Sequence, residues 1–186
     1  MVGVFILYNH DTINQISQIV YSMILVVYFD AFHKDLEKRM SEHKIPFTLV
    51  KYADLEQYQP TKPITKLIIT GSKQRILQKN HFPLLDAYMK QDIHIIGICF
   101  GFQLLAYKTG GKVIEGPLFR GTRPTNKEPL YFNHYDRVIE LPDTWTVVRR
   151  IDGFINIAAT DKWIGFQFHP EKYDATFRHY LLPFLG

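Results

Sequence analysis

Residues 94–103 read His94-Ile95-Ile96-Gly97-Ile98-Cys99-Phe100-Gly101-Phe102-Gln103. The first five form a buried-strand pattern, an unbroken apolar run of the kind found where a parallel sheet is covered on both faces. The residues after Cys99 have helical spacing through Tyr107, and Gly110-Gly111 stops it. A nucleophile set directly between a buried strand and a helix sits on a sharp turn that lifts its side chain out of the sheet. Gly97 and Gly101, two residues to either side, let the chain pass without steric clash. The helix points its N-terminus at the sulfur, which favours a thiolate, and the N–H of Phe100 can face an oxyanion. Taken alone, Gly-x-Cys-x-Gly fits a buried cysteine at a glycine-rich turn as well as it fits catalysis.

Outward from this turn, the chain alternates strand-like and helix-like segments. Val2 to Leu7 reads as a first buried strand. Thr12 to His43 looks helical for much of its length, with a good exposed helix around Asp35 to Met40. Met23 to Phe29 fits a buried helix or an extra strand, and periodicity does not separate the two. Phe47 to Tyr52 and Lys66 to Thr70 read as strands, Phe82 to Gln91 as a helix, and the Pro60 and Pro63 region as a loop. The second half is richer in strands: Lys112 to Ile114, Leu130 to Phe132, Arg137 to Leu141, Trp145 to Val148, Asn156 to Ala159 and Trp163 to Phe168. A final helix is expected over Ala175 to Phe184. This order predicts an α/β three-layer sandwich with a mostly parallel central sheet.

The chain of 186 residues is the size of one domain, with 46% hydrophobic and 22% charged residues. The net charge of +4 is mild and the basic residues are scattered, which argues against a nucleic-acid partner. Cys99 is the single cysteine, so an internal disulfide and a multi-thiolate metal site are both excluded. The N-terminus has no basic stretch before its apolar run, and Ile19 to Phe29 is shorter than the ~20 residues of a membrane helix. A soluble, cytoplasmic protein with no membrane partner is expected.

A second motif bears on Cys99. Phe166-Gln167-Phe168-His169-Pro170-Glu171 sets a histidine just past the end of a buried strand. In a parallel sheet the carboxyl ends of strands gather at one edge, so Cys99 and His169 are expected to meet there. Glu171 can then accept a hydrogen bond from the other imidazole nitrogen and hold the useful tautomer.

Gly-Ile-Cys-x-Gly-x-Gln-Leu-Leu-Ala (97–106) followed by Gln-Phe-His-Pro-Glu (167–171) resembles the paired signature of class I glutamine amidotransferases, a flavodoxin-like family. The resemblance runs over nearly the whole chain. It implies a catalytic triad of Cys99, His169 and Glu171, no cofactor or metal, and glutamine as substrate. The cysteine attacks the side-chain carbonyl, His169 protonates the departing ammonia, and water hydrolyses the γ-glutamyl thioester. Gly71, Ser72 and Phe100 are implied as the oxyanion hole, with Gln103 at the substrate. Asn133 to Pro142 are similar to a Ser-His-x-Asp-x-Val segment in the glutaminase part of GMP synthetases, which adds His134 and Tyr135 as substrate-binding candidates. It also makes a separate synthetase chain of that kind the expected user of the ammonia.

Two departures from the family stand out. Its oxyanion loop is usually Gly-Gly-Pro, whereas this chain has Thr70-Gly71-Ser72-Lys73-Gln74. If the second position needs positive φ, Ser72 costs roughly 1 kcal/mol or more there; an ordinary turn would cost nothing. Residues 21–33 read as an insertion, because roughly forty residues separate the first two expected strands and a one-helix crossover needs far fewer. Other readings are a stand-alone γ-glutamyl hydrolase with the same triad, and a weakly active relative with a binding or regulatory role.

Overall fold

The computed structural model describes residues 23–30, 32–125 and 128–186. The expected strand at Val2 to Leu7 and the start of the expected helix lie outside these residues. Met23–Tyr28 (β1) is a strand. Its alternation serves two cores at once. Leu25 and Val27 pack with Leu67, Ile69, Phe100 and Phe102 on one face, and Ile24 and Val26 with Leu36, Met40 and Ile98 on the other. A helix could not divide six consecutive residues between two opposite faces in this way. Within the segment 21–33 read as an insertion, Met23–Tyr28 is an interior strand, and its β-branched, doubly buried run is what a parallel sheet requires.

The seven-stranded sheet has the order β2-β1-β3-β4-β11-β10-β9, formed by Thr48–Lys51 (β2), Ile64–Ile69 (β3), His94–Ile98 (β4), Thr146–Ile151 (β9), Phe154–Ala159 (β10) and Trp163–Phe166 (β11) with β1. The pairs from β2 through β11 are parallel, while β10 is antiparallel to both its neighbours. Pro83–Met89 (α2) and Phe100–Lys108 (α3) cover one face. His33–Glu42 (α1) and the C-terminal helical turns cover the other, Leu36 and Met40 one turn apart supplying the buried stripe of α1. The expected three-layer, mostly parallel α/β sandwich is thus the fold.

Two small sheets sit beside this frame. Lys112–Ile114 (β5) pairs with Arg137–Glu140 (β8), and Phe119–Arg123 (β6) with Leu130–His134 (β7). Strand β6 was not expected; Phe-Arg-Gly-Thr-Arg carries one apolar residue and a glycine, so no pattern announces it. The expected final helix is broken. An α-turn at Asp174–Thr176 widens into a π-turn at Phe177–Leu181 and tightens into a 3-10 turn at Leu182–Phe184. Pro183, which has no N–H and crowds the preceding turn, does not permit a regular continuation.

Candidate active site

Register brings the site together. Val27 lies opposite Ile69, Ile69 opposite Gly97, and Gly97 opposite Gly165. The segments leaving β1, β3, β4 and β11 therefore emerge side by side at the carboxyl edge of the sheet, where ligands bind in such folds.

Cys99 begins α3 at φ 52°, ψ −103°, a conformation that non-glycine residues adopt only under constraint. The constraint is packing. A Cβ on Gly97 would sit 2.6 Å from the N of Phe102, and one on Gly101 would collide with the carbonyl of Ile69. Helix and strands thus approach through their glycines. The N–H of Cys99 donates to the Phe166 carbonyl at 2.7 Å, which ties the elbow to the strand leading to His169. The thiol faces the carbonyl of Asn133 at 3.7 Å.

His169 is 3% exposed. Its Nδ1 bonds the Glu171 carboxylate at 2.7 Å, and its backbone N–H donates to the Tyr131 carbonyl at 2.8 Å. Phe32 stacks on the ring at 5.6 Å, and Gly71 lies so near that a Cβ there would be 2.7 Å from Cε1. Among the described residues the Nε2 has no hydrogen-bond partner. Burial opposes a charge on this ring, but Glu171, with Cys99 adding to it, outweighs burial and raises the imidazole well above the usual histidine range. The three expected triad residues therefore come together: a cysteine on a strained turn, a histidine beside it, and a carboxylate orienting that histidine.

The loop after β3 takes an ordinary turn. Ser72 is not among the positive-φ residues, so the strain expected if it replaced a left-handed glycine is absent. Its hydroxyl accepts from the Gln74 N–H at 3.0 Å and lies 3.3 Å from Asp30. Among the described residues the N–H groups of Gly71, Ser72 and Phe100 have no hydrogen-bond acceptor.

A cleft of about 440 Å³ opens at His169, lined by Phe32, Lys73, Arg120, Tyr131 and Asn133 among others, within the size range of small-molecule sites. The three residues expected at the substrate lie elsewhere. Gln103 is buried, donating through Nε2 to the Asp136 carbonyl at 2.7 Å. Tyr135 is half-exposed beneath the Arg75 guanidinium. His134 faces a different, smaller pocket with Phe132 and Gln167. Alternation along β7 explains this: Tyr131 and Asn133 face the cleft, Phe132 and His134 the opposite side. Asn133 and its cross-strand partner Arg120 were missed. Extending the strand signal of Leu130 to Phe132 by two residues would have placed Asn133 on the cleft face. Asp136 is a buried anchor: one carboxylate oxygen accepts from the Arg75 Nε and Nη2 at 3.2 and 2.8 Å.

Among the described residues no helix is long and apolar enough to cross a membrane. The Glutamine amidotransferase class-I family model matches residues 24–184. The chain is 30% identical over 181 residues to the glutamine-hydrolysing GMP synthase of Bacillus subtilis, covering 83% of this chain and 34% of that protein. It is 29% identical over 169 residues to the GMP synthase of Thermus thermophilus, covering 80% and 33%. The chain thus spans about a third of the length of these relatives. In fold it is similar to a GMP synthase subunit from Thermoplasma acidophilum, at TM-score 0.67, 18% identity and coverage of 84% and 91%. It is likewise similar to a glutamine amidotransferase from Thermotoga maritima, at TM-score 0.63, 19% identity and coverage of 88% and 82%. The chain belongs to the class I glutamine amidotransferase family.

Proposed function

We propose that the chain hydrolyses the side-chain amide of glutamine through a thioester on Cys99 and delivers the ammonia to a synthetase of the GMP synthetase kind. The observation that carries this is the elbow geometry: Cys99 is held at positive φ beside a buried His169 that Glu171 orients at 2.7 Å. The sulfur attacks the γ-carbonyl carbon, and the oxygen takes the developing charge. Free N–H groups at Gly71, Ser72 and Phe100 are the donors for it; losing one such donor costs on the order of 2.7–4 kcal/mol. The C–N bond breaks as His169 gives its proton to the leaving nitrogen. The same ring then takes a proton from water, whose oxygen displaces the sulfur, and glutamate leaves.

The cleft suits an amino acid. Lys73 and Arg120 line it without an ion-pair partner among the described residues, whereas Lys172 is held by Asp35 at 3.0 Å. The two free cations complement the α-carboxylate of glutamine.

Ammonia and glutamate release from glutamine, compared between wild type and Cys99→Ala, tests the reading. Release by wild type alone is expected; equal rates in the two would sink it. Release that rises when a synthetase and its nucleotide substrate are added would favour delivery over stand-alone hydrolysis.

A further inference from the structure

We infer that Asp30 is a positioning residue that sets the oxyanion loop in this chain, standing in for the stiffness that Thr70-Gly71-Ser72-Lys73 lacks; the inference rests on the glutamine-hydrolysis reading above. Asp30 lies just past β1, beside the end of β3, so its carboxylate faces the loop directly. Oδ2 accepts the Lys73 N–H at 2.8 Å and lies 3.3 Å from the Ser72 hydroxyl, while Oδ1 accepts the Phe32 N–H at 3.4 Å. The Asp30 carbonyl is 2.7 Å from the Nδ1 of His33 at the start of α1.

These contacts sort the donors of the loop. Of three successive N–H groups, the carboxylate takes that of Lys73, and those of Gly71 and Ser72 remain for substrate. The Ser72 hydroxyl, lying between Asp30 and the Gln74 N–H, closes the turn from the other side. The same carboxylate reaches Phe32, whose ring stacks on His169, and Gly71 lies so close to the imidazole that a Cβ there would collide with it. One side chain therefore couples the loop to the catalytic histidine. A serine is usable at this position because its hydroxyl is held by the clamp, and no left-handed backbone is needed. Donors fixed before reaction, with no reorganisation during it, are what make an oxyanion hole effective.

The test compares Asp30→Ala, Asp30→Asn and Ser72→Ala by kcat and KM for glutamine hydrolysis, with the rate of Cys99 alkylation by iodoacetamide as a second readout. Alkylation reports the Cys99–His169 pair and makes no oxyanion. Asp30→Ala should lower kcat about 10- to 100-fold, with KM and alkylation within about twofold of wild type. Asp30→Asn, which keeps an acceptor for the Lys73 N–H, should restore most of the rate, and Ser72→Ala should cost only a few-fold. Unchanged kcat in Asp30→Ala, or a fall in alkylation matching that in kcat, would overturn the assignment. A wild-type chain that is alkylated at Cys99 yet releases no ammonia would overturn the functional reading and the clamp with it.

Discussion

His169 and His134 are both buried, at 3% and 8% exposure, and both fall in segments whose sequence suggests a site. They lie on opposite sides of β7 and behave in opposite ways. His169 has Glu171 on Nδ1, and its charged form is favoured well above the usual range. Among the described residues His134 has no such carboxylate. Burial above all, then Arg137 and His169, lowers it to about 4, against a weaker opposing pull from the Asp136 backbone. Similar burial thus leaves the charged form favoured at His169 and the neutral form at His134. Each has a carboxylate two residues on, and what differs is where it turns: Glu171 bonds its histidine, whereas the Asp136 carboxylate is taken by Arg75.

The largest effect should come from making His169 resemble His134. Glu171→Gln keeps the shape but removes the charge that outweighs burial. We expect kcat to fall by about 10⁴-fold, the scale seen when the carboxylate of a catalytic triad is made neutral, and the imidazole to titrate lower by NMR. A variant with near-wild-type kcat and an unmoved imidazole would break the comparison.

His134→Leu sharpens it from the other side. A histidine with a folded value near 4 against 6.5 unfolded binds its proton more weakly when folded. Wild-type stability should therefore be full above pH 6.5 and fall as pH drops toward 4, by on the order of 3 kcal/mol from this group. Denaturant unfolding across that range should show the loss shrink in His134→Leu, while KM for glutamine stays near wild type. A large rise in KM would return His134 to the substrate.

Gly71→Ala should have the smallest effect. Its Cβ would press on Cε1 of His169 at 2.7 Å, so the ring must shift. A stability cost of roughly 1–3 kcal/mol is expected, together with a lower kcat, while the pH dependence of stability set by His134 stays unchanged. Unaltered kcat would mean that the loop does not brace the ring.

The meeting of Cys99, His169 and Glu171 was legible because each sits where a strong local pattern changes: the apolar run ends at Ile98, and Phe166-Gln167-Phe168 leads into His169-Pro170-Glu171. Strand ends in a parallel sheet converge, so local patterns were enough to predict a meeting. The rest depended on contacts between distant residues. Nothing local marks Asp30 as the partner of Lys73, or Asp136 as that of Arg75, since each bond joins loops more than forty residues apart. Met23–Tyr28 was ambiguous because a doubly buried strand and a buried helix share one composition, and only pairing with β2 and β3 separates them. Which residues of β7 face the cleft turned on where that strand ended.

The most direct test is the mass of the chain after rapid acid quenching with glutamine, followed by peptide mapping. A γ-glutamyl adduct confined to the peptide containing Cys99, absent in Cys99→Ala and accumulating when deacylation is slowed, is the predicted result. Steady ammonia release without any adduct, or an equal rate from Cys99→Ala, would contradict it.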